Sequence, residues 1–123
     1  MAKIVVADDD ADIRDLVVFK LEQSGHDVVP VGDGAAAVSA CRDHAADLAV
    51  LDVMMPGMSG LEACRELRAD PSLAGIPVIM LTARAQETDI ELGFNVGADD
   101  YVVKPFSPRE LASRVAAVLE RSP

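Results

Sequence analysis

The sequence predicts an α/β fold in which five parallel strands form one sheet between two layers of helices, in the strand order 2-1-3-4-5. Three observations carry this. Five short apolar runs alternate with five segments of helical period, the (βα)5 pattern that right-handed crossovers wind into a three-layer sandwich. The 123 residues are 50% hydrophobic but only 3% aromatic, with no Trp. Ala, Val, Leu and Ile must therefore fill the interior, which suits a parallel sheet covered on both faces. Finally, the second apolar run contains Pro30, which excludes a central strand and assigns that run to an edge. Strands one and three then lie side by side where the strand order reverses. A chain of this length is read as one domain, 1–123, with Arg121-Ser122-Pro123 a frayed end or the start of a linker.

Taken in order, the first strand is Ile4-Val5-Val6-Ala7, which runs into Asp8-Asp9. The first helical segment places Ile13, Leu16, Val17 and Leu21 on one face, with Asp12, Arg14 and Glu22 off that stripe. Strand two, Val28-Val29-Pro30-Val31, ends in Gly32-Asp33-Gly34, a turn with no evident part in a site. The second helix is predicted over Ala35 to Ala46, with Val38 and Cys41 spaced for one buried face. Strand three, Leu48-Ala49-Val50-Leu51, meets Asp52. Ser59-Gly60-Leu61-Glu62 and Ser107-Pro108-Arg109-Glu110 match the Ser-x-x-Glu capping box, which satisfies orphan N–H groups and so starts the third and fifth helices. Pro108 adds the favoured first-turn proline. Strand four, Val78-Ile79-Met80-Leu81, meets Thr82. The fourth helical segment, about Ala85 to Val96, has Ile90, Leu92 and Phe94 as apolar members and is the least firmly anchored. Strand five, Tyr101-Val102-Val103, meets Lys104-Pro105.

The net charge of −10 argues against this chain gripping a nucleic acid by itself, because such binding needs Lys and Arg to displace counterions. Cys41 and Cys64 are isolated, form no C-x-x-C or zinc spacing, and read as reduced small hydrophobes of a reducing compartment. With no signal segment and no apolar run of the roughly 20 residues that span a bilayer, the chain is expected to be cytoplasmic. His26 and His44 read as surface residues without partners rather than as a phosphohistidine site.

Four of the five strands end in a polar residue suited to phosphate chemistry, and in a parallel sheet those ends share one edge. Asp8, Asp9, Asp52, Thr82 and Lys104 therefore converge. Three adjacent carboxylates repel, so they need a cation or must keep a proton. Oxygen-only ligands favour a hard ion such as Mg²⁺. One carboxylate would alternatively serve as a nucleophile that forms an aspartyl phosphate, with Lys104 neutralising a phosphoryl oxygen and Thr82 donating to another. Helix capping explains any one of these acids; it explains neither a lysine at the end of strand five nor a paired acid beside a third. Neighbouring readings fail on spacing. Asp8, Asp10 and Asp12 mimic an EF-hand, but Ile13 and Phe19 stand where its Gly and terminal Glu belong. There is no P-loop and no G-x-G-x-x-G, and the loop after strand one lacks the Ser, Thr and Gly of a flavin site.

The segments Val5-Val6-Ala7-Asp8-Asp9-Asp10, Leu51-Asp52-Val53-Met54-Met55-Pro56-Gly57-Met58-Ser59-Gly60, Leu81-Thr82-Ala83 and Gly97-Ala98-Asp99-Asp100-Tyr101-Val102-Val103-Lys104-Pro105-Phe106 resemble the receiver domains of two-component response regulators. The resemblance covers essentially the whole chain. It implies the flavodoxin-like form of the fold and a signalling domain that assists its own phosphorylation and dephosphorylation, not an enzyme on other substrates. Asp52 is implied to accept a phosphoryl group from a sensor histidine kinase or a phosphotransfer protein. Asp9 and Asp52 would bind Mg²⁺, with Mn²⁺ an acceptable substitute, while Asp8 holds a metal water and the Met54 carbonyl completes the protein ligands. Lys104 would pair with Asp52 and then with the phosphoryl group, Thr82 would move towards the new oxygens, and Tyr101 would swing inward. A cis Lys104–Pro105 bond would aim Lys104.

The nearest resemblance is to regulators with winged-helix DNA-binding outputs, whose active dimers use charged pairs across the fourth helix, fifth strand and fifth helix. Asp100, Glu110, Arg114 and Arg121 fit that pattern, whereas Ile90, Asn95 and Ala116 stand where charged partners are usual. Phosphorylation would shift this face to control an output domain or target protein. The alternative is a receiver-like interaction module that never turns over phosphate.

Overall fold

A computed structural model of the chain describes residues 2–83 and 97–121. The strands are β1 (Lys3–Ala7), β2 (Asp27–Val31), β3 (Leu48–Asp52), β4 (Val78–Thr82) and β5 (Asp100–Val103). The helices are α1 (Ala11–Gln23), α2 (Gly34–Asp43), α3 (Gly60–Ala69) and α4 (Pro108–Arg121), the last being the fifth helical segment of the sequence. The fourth predicted segment, about 85–96, lies outside the described residues.

All strand pairs are parallel and the order is β2-β1-β3-β4-β5, as Pro30 on the edge strand requires. Alternation along the strands divides the interior into two cores. Val5, Ala7, Ala49, Leu51, Val78 and Met80 pack with Ala37, Cys41, Ala63, Cys64 and Leu67 of α2 and α3. Ile4, Val6, Leu48, Val50, Ile79, Leu81 and Val102 pack on the other face with Val17 and Leu21 of α1 and Leu111, Val115 and Val118 of α4. Both cysteines are fully buried, and burial pushes their thiols up, Cys41 to about 11.

Local chemistry sets the helix starts. Asp10 caps α1 by accepting from the N–H groups of Asp12 and Ile13 at 3.0 and 3.2 Å. Glu62 N–H donates to Ser59 Oγ at 3.2 Å and Glu110 N–H to Ser107 Oγ at 3.0 Å, as the two capping boxes predict. Asp33 caps α2 through Ala36 N–H at 2.8 Å, so that helix starts one residue before the predicted Ala35. It ends at Asp43 rather than Ala46 because Ala45 takes a left-handed φ of 51°.

Two further expectations are corrected. Leu16 is 51% exposed, because the buried row of α1 runs through residues four apart, Ile13, Val17 and Leu21, and Leu16 falls beside it. Phe19, at 64% exposed, lies outward too. His26 does have a partner: its Nδ1 accepts from Ala2 N–H at 3.3 Å, and burial lowers its pKa, while His44 is exposed at the end of α2.

Candidate functional site

The parallel sheet brings Asp8, Asp52, Thr82 and Lys104 to one edge because each lies at the carboxyl end of its strand. Asp8, Asp52 and Lys104 also continue the alternation of the α1/α4 face, whereas Thr82 continues that of the other face. Asp8 has no exposed surface, Asp52 is 4% exposed and Thr82 2%. Asp9 is exposed at the rim. A carboxylate oxygen from each of Asp8, Asp9 and Asp52 lies within 4.8 Å of the others.

Lys104 reaches into this cluster. Its Nζ donates to Asp52 Oδ2 at 3.0 Å and to Asp8 Oδ2 at 3.1 Å, so one ammonium serves two buried carboxylates. Burial pushes the Asp52 carboxyl up to about 6; the Lys104 hydrogen bond opposes this, and the Asp8 charge adds to it. Burial works to lower the Lys104 pKa, but the contacts with Asp52 and Asp8 outweigh it and raise that pKa. The Lys104–Pro105 bond is cis, and Lys104 N–H donates to Thr82 O, which extends the β4–β5 pairing to the lysine.

Backbone contacts hold the acids in place. Asp10 N–H donates to Asp8 Oδ1 at 2.9 Å. Capping of α1 is thus the task of Asp10 and leaves Asp8 and Asp9 to the cluster. Met54 N–H donates to Asp52 Oδ1 at 3.2 Å, which sets the Met54 backbone beside the central carboxylate. The loop from Val53 to Ser59 is clamped on two sides. A Cβ on Gly60 would lie 2.1 Å from Asp52 O, and one on Gly34 would lie 2.4 Å from Met58 O. Only glycine permits either approach. The turn after β2 therefore does contribute to the site, contrary to expectation, through Gly34 against this loop.

The donor set is three carboxylates, with negative charge that the Lys104 ammonium alone does not balance. That combination suits a hard divalent cation such as Mg²⁺. Beside Lys104 an apolar groove of about 320 Å³ is lined by Ile13, Leu16, Ala83, Pro105 and Phe106. Tyr101 is buried in the core on the α2/α3 side. Asp100 and Arg114 pair within the chain at 3.2 Å, while Glu110 and Arg121 are exposed.

Sequence reasoning missed two cations. Arg14 donates to Asp8 O at 2.9 Å. Arg68, near the end of α3, donates to Gly97 O, Ala74 O and Ile76 O and pairs with Asp99 at 3.1 Å, tying α3 to the approaches of β4 and β5. A helix-face reading marks such residues only as polar. Their partners are carbonyls outside the helices that carry them, which no periodicity reports.

Among the described residues, no helix is long and apolar enough to cross a membrane. The chain is 46% identical over 120 residues to the DNA-binding response regulator MtrA of Mycobacterium tuberculosis, a match covering 98% of this chain and 51% of that protein. It is 47% identical over 120 residues to the alkaline phosphatase synthesis transcriptional regulatory protein PhoP of Bacillus subtilis, covering 98% of this chain and 49% of that one. The chain thus spans about half the length of these relatives. Among solved structures, the receiver domain of sensor histidine kinase PA1611 from Pseudomonas aeruginosa, with a magnesium ion coordinated in its active site cleft, superposes with a TM-score of 0.89. Identity there is 29%, over 97% of this chain and 98% of that one. The sequence profile of the response regulator receiver domain matches residues 4–116, and with the site geometry and these similarities it shows that the chain belongs to that family.

Proposed function

We propose that the chain is a phosphorylation-activated switch in which Asp52 accepts a phosphoryl group from a phosphohistidine donor. The observation that carries this is the shared ammonium: Lys104 lies 3.0 Å from Asp52 and 3.1 Å from Asp8, with Asp9 completing a carboxylate cluster at the strand switch point. An oxygen of ionised Asp52 attacks phosphorus. The P–N bond breaks as the P–O bond of the aspartyl phosphate forms, and the electron pair returns to the imidazole. Asp9, Asp52 and the Met54 carbonyl would hold Mg²⁺, and Asp8 would hold one of its waters. When bound, Mg²⁺ supplies positive charge to the phosphoryl oxygens and offsets the repulsion among the carboxylates.

Lys104 then transfers its contact from the Asp52 carboxylate to a phosphoryl oxygen, and the Thr82 hydroxyl donates to another. Thr82 and Tyr101 serve as the switch residues. Their movement alters the face containing β5 and α4, which controls an output domain or target protein or a homodimer. The donor is a sensor histidine kinase or a phosphotransfer protein. Exposed Leu16 and Phe19 on α1, with the apolar groove beside Lys104, offer a surface for it. In this reading residues 1–123 belong to one receiver domain that acts in the cytoplasm.

Acetyl phosphate or a purified kinase, with Mg²⁺, is expected to add one phosphoryl group to the wild type and none to Asp52→Asn, read by intact-mass spectrometry. Equal labelling of the two proteins would sink the acceptor assignment. No labelling of the wild type by any donor would favour an interaction module without phosphate turnover.

A further inference from the structure

We propose that Arg14 is a positioning residue for the acidic end of β1 and that Gly32, in the turn after the edge strand, provides its seat. The inference rests on the reading of Asp8 and Asp9 as metal-site residues. Asp8 is wholly buried, and each of its polar groups is engaged. Its N–H donates to Val31 O at 3.2 Å, its Oδ1 accepts from Asp10 N–H, and its Oδ2 accepts from Lys104. Its carbonyl oxygen accepts from Arg14 Nη1 at 2.9 Å.

That last bond fixes more than one atom. The carbonyl of Asp8 shares a rigid peptide plane with the N–H and Cα of Asp9. Holding the oxygen therefore sets the rotation of the plane from which both carboxylates leave the chain. The guanidinium in turn needs room: a Cβ on Gly32 would lie 3.3 Å from Arg14 Nη1, tighter than ordinary contact. Gly32 is not among the glycines with positive φ, so what a side chain there would change is space, not conformation: the guanidinium would have to move by a few tenths of an ångström. Val31 O and Gly32 together make the end of β2 a support for the end of β1.

Electrostatics gives the opposite expectation, which makes the inference testable by sign. A cation beside an acidic cluster repels an incoming Mg²⁺. If Arg14 were merely a counter-charge, its removal would tighten Mg²⁺ binding. As a positioning residue, its removal weakens binding, in the way that loss of an outer hydrogen bond to a metal site commonly costs about tenfold.

Mg²⁺ affinity is measured by calorimetry on the full chain for wild type, Arg14→Met, Arg14→Lys and Gly32→Ala, with melting temperatures recorded in the absence of metal. Arg14→Met and Gly32→Ala are expected to raise Kd about tenfold. Arg14→Lys keeps a donor for the Asp8 carbonyl and is expected to restore most of the affinity. Gly32→Ala retains every charge and hydrogen-bonding group, so it carries the test if Arg14→Met does not fold. Unchanged or tighter binding by Arg14→Met would overturn the inference, and unchanged binding by Gly32→Ala would overturn the seat. A wild type that binds no Mg²⁺ would instead overturn the underlying reading of the site.

Discussion

Lys104 and Asp8 stand 96 residues apart in the chain and 3.1 Å apart in the fold, with Asp52 within 3.0 Å of the same ammonium. Three strands are spanned by one side chain. Among the described residues the consequence is a site whose carboxylates outnumber its cations: two buried carboxylates and a third at the rim gather about the Lys104 ammonium, with the Arg14 guanidinium on the backbone carbonyl of Asp8. Such a site is poised to accept more positive charge or to hold a proton, and its stability must respond to both.

Replacing Lys104 by Met is expected to leave two buried carboxylates uncompensated. Breaking a buried ion pair from one side commonly costs about 3 kcal/mol or more. At pH 8 without metal, thermal denaturation should show Lys104→Met well below the wild type, with part of the loss recovered at pH 5, where a carboxylate takes up a proton. Equal melting temperatures at pH 8 would contradict the shared-ammonium arrangement.

The raised pKa of Asp52 has a definite sign. Between 3.8, its ordinary value, and about 6, the folded chain holds a proton that the unfolded chain has released. The stabilisation is therefore complete below the lower value and is lost as pH rises through the upper one, an effect of at most about 3 kcal/mol. Asp52→Asn lacks this dependence. Its metal-free melting temperature is expected to match the wild type near pH 4 and to exceed it above pH 7. A constant difference from pH 4 to pH 8 would refute the shift.

Mg²⁺ should stabilise the folded chain, since a ligand at 100 times its dissociation constant contributes about 2.7 kcal/mol. Titration of the melting temperature with Mg²⁺ should show this for the wild type, and Asp9→Ala should abolish most of it. An undiminished response in Asp9→Ala would remove that residue from the ligand set.

Gly60→Ala places a Cβ 2.1 Å from the Asp52 carbonyl, whereas Gly75→Ala meets nothing within 4 Å. Overpacking of this kind costs about 1–3 kcal/mol, so chemical denaturation should separate the two variants clearly. Gly60→Ala should also slow Asp52 phosphorylation, because the clash is with the backbone of the acceptor itself. Comparable stability and labelling in both variants would contradict the clamp.

What the sequence by itself determined was local or periodic. Pro30 placed β2 on the edge because a proline has no N–H to donate to a neighbouring strand. Ser59 and Ser107 marked helix starts through short-range hydrogen bonds, and each polar residue beyond an apolar run marked a strand end. A parallel sheet then makes those ends neighbours without any knowledge of side-chain contacts. The tertiary structure decided what depends on closest approach between segments. It put Leu16 outside, gave Asp8 as well as Asp52 to Lys104, tied Arg68 to Gly97 and Asp99, and seated Arg14 between Asp8 and Gly32. Helical period reports which face a residue occupies. It does not report which distant carbonyl lies opposite, because that is fixed by strand register and packing across the whole sheet.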